Sequence, residues 1–169
     1  ETEFSLVSDN VTNKDKEIYS AEEFNKVYRY VKDINYHMQI ALRNRNYTNM
    51  WAYTILLLTD FLRGRDIILQ TPNLNLDDLN ITDLDYVRKN QLTEEQIEGV
   101  IKQLYLCFRN KRSSKTNELL TFVVSPDLRE PLAYSLVISE IHRKNKDSEF
   151  ILDTFIQGMY STVRTEGKI

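Results

Sequence analysis

Apolar residues recur at Phe24, Val27, Tyr28, Val31, Ile34, Met38 and Ala41, three and four apart. This predicts a helix from Ser20 to about Arg43 with one face buried. Ser20 and Glu23 stand at the spacing of a capping box and open it. Asn44, Arg45 and Asn46 break it. Met50 to Leu69 is apolar on every side, which predicts a helix at the centre of a core, and Pro72 ends its extension. Residues 73–92 form no long pattern and read as a loop with one short helix near Asp83 to Arg88. Thr93 and Gln96 make a second capping box before Ile97, Val100, Ile101, Leu104, Tyr105 and Phe108, a clean amphipathic helix. Leu119 to Val124, rich in β-branched and aromatic residues, predicts a strand paired with residues around 112–116 across Asn117-Glu118. Ser125-Pro126 opens a helix through Leu128, Leu132, Leu136 and Ile141, and a last helix is expected from Ser148 to Gln157, ending at Gly158. The expected fold is mainly α with a small β-hairpin (α+β). Residues 1–18 form a polar lead-in arm and residues 19–169 a single helical domain.

Composition narrows this picture. A chain of 169 residues, 41% hydrophobic and 28% charged, can bury a sizeable core and is not a disordered sequence. Four glycines and three prolines suit a helix-rich fold. The net charge of -3 gives no general affinity for nucleic acid, so such a role needs a local basic face. The single cysteine, Cys107, excludes an internal disulfide framework and fits a reducing, cytoplasmic compartment. The Met50–Leu69 run is too short and too soon interrupted to span a bilayer, and no membrane partner is expected. The chain begins Glu1-Thr2-Glu3 without methionine and reads as a portion of something longer.

Most site chemistry is missing. His37 and His142 share no metal-ligand spacing with Cys107, and no Gly-rich phosphate loop or nucleophile elbow occurs. Asp77, Asp78, Asp83 and Asp85 do not have calcium-loop spacing and read as a solvated turn. No metal and no cofactor is expected. Two cationic features stand out. Arg63 and Arg65 end the apolar run, either as structural ion pairs with Asp60 or Asp66 or as guanidinium forks for a phosphate. Arg109 to Lys115 holds Arg109, Lys111, Arg112 and Lys115 with no acid, either a solvated loop or a hairpin that reaches DNA phosphates.

The order of these features resembles the tyrosine recombinases (phage integrases). Leu57-Leu58-Thr59-Asp60-Phe61-Leu62-Arg63-Gly64-Arg65-Asp66-Ile67 resembles the family's first catalytic box. Ser113-Ser114-Lys115-Thr116, a short turn and Leu120 to Pro126 resemble its lysine-bearing hairpin and the helix that follows. Tyr19 to Phe24 resembles the opening of the catalytic domain, so the likeness covers about residues 19–143. The resemblance implies that Arg63 clamps the scissile phosphate, Lys115 is the general acid to the leaving oxygen, and Asp66 orients the arginine from behind. Arg65, Arg109, Lys111 and Arg112 would contact double-stranded DNA, and the parent would be a bacterial or phage-encoded recombinase that can oligomerise on DNA. The sequence departs from the pattern at Phe61, where the family has glycine, and in the long span from Arg63 to Lys115. His142-Arg143-Lys144-Asn145 does not make the family's His-x-x-Arg box, and Tyr160 lacks the setting of its nucleophile. These residues alone are not expected to cleave DNA. The alternatives are a catalytically inactive DNA-binding regulator with this fold, and a helical protein-interaction module.

Overall fold

The computed structural model describes residues 20–59, 63–119 and 121–155, and these are mainly helical. The chain divides into two compact units, residues 1–30 and 31–169. The lead-in arm and Gly158 lie outside the described residues.

Helix α1 spans Ala21–Val31. Its capping box is made as the spacing requires: Glu23 N–H donates to Ser20 Oγ at 3.1 Å, and Ser20 N–H donates to Glu23 Oε2 at 3.0 Å. Of the expected face, Phe24 and Val27 are exposed, Tyr28 is half-buried and Val31 is buried. The helix does not run on to Arg43. Asp33 leaves helical geometry and accepts from Tyr36 N–H, so a second helix, α2 (Ile34–Ala41), starts afresh. The apolar period continues across that break, which is why it is invisible in the pattern.

Helix α3 (Arg45–Leu58) is capped by the Asn44 side chain, which accepts from Tyr47 N–H at 3.1 Å. It ends at Thr59, whose hydroxyl donates to Leu56 O at 2.6 Å. The apolar run is therefore not one helix to Leu69, because a short helix α4 (Gly64–Gln70) begins after Arg63. A 3-10 turn (Asp77–Leu79) and α5 (Leu84–Lys89) follow, the latter on the expected residues. The Thr93–Gln96 capping box opens α6 (Glu94–Phe108).

Helix α7 (Pro126–Asn145) is the centre of the core. Every residue from Pro131 to His142 is buried, and α3 and α6 pack against it. The sequence predicted that place for Met50–Leu69. Ser135, Ser139 and Glu140 disguised α7, since a polar residue reads as a solvent face until its partner is known. Here each partner exists. Ser135 Oγ donates to Leu132 O at 2.8 Å, Ser139 Oγ donates to the Asn49 side chain, and Glu140 accepts two bonds from Arg143.

The expected strand pair is absent among the described residues. One isolated bridge joins Arg112 to Leu119. Between them, Asn117 N–H donates to Ser113 O and Ser113 N–H donates to Glu118 O, with Asn117 at φ 59. The ladder cannot lengthen because residues before Arg112 finish α6: Lys111 N–H donates to Phe108 O at 2.9 Å. Phe122 turns inward onto Phe108, with ring centroids 4.9 Å apart. The expected helix from Ser148 is turn through Leu152, with helical residues only at 153–155 before the described residues end.

Candidate functional site

The turn that carries Lys115 is held against α4 by one buried carboxylate. Asp66, 1% exposed, accepts from Ser114 N–H at 3.1 Å and from Gln70 Nε2 at 2.9 Å, both at Oδ1. Gln70 Nε2 also donates to Arg112 O at 3.1 Å, so α4 grips the turn at two points. Asp66 Oδ2 is buried with no partner among the described residues. Within the turn, Lys115 and Thr116 N–H groups donate to Ser113 Oγ at 3.3 and 3.4 Å.

This packing opens a cleft of about 520 Å³ lined by Arg63, Gly64, Arg65, Ser114 and Lys115. Arg63, Arg65 and Lys115 are exposed, and among the described residues no carboxylate lines the cleft. Among the described residues neither arginine forms an ion pair, and Asp60, one candidate partner, lies outside them. Tyr53 lies against Gly64: a Cβ there would fall 2.4 Å from its hydroxyl, so a larger residue would have to push the tyrosine ring aside. The arrangement supplies two guanidinium forks and an ammonium to one small space. That is chemistry for binding phosphate oxygens.

The other sequence candidates distribute as follows. Arg109, Lys111 and Arg112 are exposed beside the turn but do not line the cleft, and Arg112 Nη1 is occupied by Asn117 O at 2.8 Å. Asp66 bonds the lysine turn instead of either arginine, so its hold is on Lys115 rather than on Arg63. His142 and Arg143 are both used structurally. His142 Nε2 donates to Ala41 O at 2.7 Å. Arg143 donates to both Glu140 oxygens, at 2.8 and 2.6 Å, and to Ser148 O at 2.8 Å. The Glu140 carboxylate raises the Arg143 pKa above its ordinary value, against the opposing effect of burial. His37 is buried, with Nδ1 2.7 Å from the Tyr47 hydroxyl and its ring stacked on Trp51. Among the described residues no group of His, Cys, Asp or Glu is arranged to hold a metal. Among them, too, no helix is long and apolar enough to cross a membrane.

Gln70 was missed in the sequence. It has no motif, and its role follows only from α4 lying beside the Arg112 turn. No family model, curated protein or solved structure matches this chain.

Proposed function

We propose that this chain is the DNA-binding portion of a tyrosine-recombinase-like protein, with the Arg63–Arg65–Lys115 cleft seating a backbone phosphate of duplex DNA. One observation carries the reading: Arg63 and Lys115, far apart in the chain, line the same cleft together with Arg65, and among the described residues no acid stands in its wall. A clamp for a phosphate undergoing attack needs fixed cations where negative charge grows on the oxygens. The grip of Asp66 and Gln70 on the turn supplies the fixity for Lys115. In the intact parent, Arg63 and Arg65 hold the phosphate, and Lys115 protonates the leaving oxygen. Asp66 positions the lysine turn. The histidine, arginine and tyrosine of the reaction's second half are not supplied by His142 or Arg143, whose side chains serve the core.

The test is binding of duplex DNA by fluorescence anisotropy across a salt series. Affinity should fall steeply with salt, because each phosphate contact contributes a slope of about −0.9. Arg63→Ala should weaken binding while leaving the unfolding midpoint unchanged. Loss of stability with no separate loss of binding would reduce Arg63 to a structural residue.

A further inference from the structure

We propose a second phosphate-binding point, at the opposite end of α3, made by Arg43 and Lys146. It rests on the reading above and extends it from one phosphate to a strand of DNA.

A separate cavity of about 340 Å³ is lined by Arg43, Asn44, Arg45, Asn46, Lys146 and Thr154. Its three cations come from three places: the end of α2, the start of α3 and the end of α7. Among the described residues no carboxylate lines it, and Asp147 and Glu149, just beyond Lys146, stay outside. Arg45 is the fixed member. It is paired with Asp153, and it donates to Ser148 Oγ at 2.9 Å and Phe150 O at 3.4 Å. Its Nε is buried and has no acceptor among the described residues. Arg43 and Lys146 are exposed and form no ion pair among the described residues. Arg43 Nε donates to Gln39 O at 3.0 Å, which anchors the side chain.

The two clefts sit at the ends of one stripe on α3. Arg45, Asn49 and Tyr53 are spaced four apart and share a face. The segment 153–155 runs along that face. Asp153 pairs with Arg45, Thr154 Oγ1 accepts from Asn49 Nδ2 at 2.8 Å, and Phe155 packs on Tyr53 with centroids 4.8 Å apart. Tyr53 then abuts Gly64 in the first cleft. The stripe from Arg45 to Tyr53 spans about 12 Å, at about 1.5 Å per residue. A DNA strand carries a phosphate about every 3.4 Å of rise, so phosphates about three to four nucleotides apart match that length.

The test is the salt dependence of duplex binding by Arg43→Gln/Lys146→Gln, with Lys102→Gln as a control on an exposed cation outside both clefts. Losing two phosphate contacts should flatten the slope of log affinity against log salt by about 1.8, while the control keeps the wild-type slope. Both variants should unfold at the wild-type midpoint, since the altered side chains are exposed. A double variant with the wild-type slope would overturn the second point and leave the first cleft standing. A wild-type chain with no salt-dependent binding would remove the DNA reading itself, and the second point with it.

Discussion

Replacing Asp66 with alanine separates a designed anchor from an incidental buried acid. Its Oδ1 accepts two bonds, from Ser114 N–H at 3.1 Å and Gln70 Nε2 at 2.9 Å, while Oδ2 is buried without a partner among the described residues. Two hydrogen bonds to a charged acceptor contribute about 3–6 kcal/mol together, and the unpaired oxygen offsets about 1–3 kcal/mol of that. The net loss for Asp66→Ala is therefore about 2 kcal/mol. Asp66→Asn keeps the accepting oxygen and should lose less than about 1 kcal/mol. Urea unfolding followed by the fluorescence of Trp51, the only tryptophan, reads both values. Under conditions where both variants are folded, Asp66→Ala should bind duplex DNA about tenfold more weakly, because the Lys115 turn loses its anchor. Asp66→Asn should bind almost as the wild type does. Equal damage from the two substitutions, or no change from either, would refute the anchoring argument.

Glu140→Ala should destabilise the protein by about 3–5 kcal/mol, since it strands the Arg143 guanidinium in the wall of the core; chemical denaturation measures this. Tyr134 gives a pH signature. Burial pushes its hydroxyl above the ordinary value and Glu130 adds to the effect, while the Leu92 N–H it accepts from opposes it. A raised folded pKa means its contribution is fully present below about pH 10 and is lost as pH rises through the folded value. Tyr134→Phe should remove that alkaline loss, and should cost about 1–3 kcal/mol at neutral pH by leaving Leu92 N–H without its acceptor. Unfolding midpoints taken from pH 8 to pH 11 check both.

Local signals in the chain survived folding and long-range ones mostly did not. The capping boxes at Ser20–Glu23 and Thr93–Gln96 need only residues three apart, and both formed. The α5 helix and the proline start of α7 were legible for the same reason. The restart at Asp33 was hidden because the apolar spacing carries straight through a break made by one side-chain cap. The strand at Leu119–Val124 failed for want of a partner, as residues before Arg112 belong to the end of α6. The burial of α7 could not be read from the pattern, because Ser139 meets its partner Asn49 on α3 and Glu140 is neutralised by Arg143 three residues on. At the site, Arg63 and Lys115 were picked out by their resemblance to a family order. Their shared cleft depends on Asp66 and Gln70, and nothing in the pattern joins those residues to the turn.

The central claim is that cations from α4 and from the Lys115 turn hold one phosphate. Its most direct measurement is an NMR titration of the labelled protein with a short DNA duplex, following the backbone amides of Gly64, Arg65, Ser114 and Lys115. All four resonances should shift together along one binding curve, and the midpoint should move to higher DNA concentration as salt is added. Shifts confined to one side of the cleft, or a duplex that moves none of these four, would contradict it.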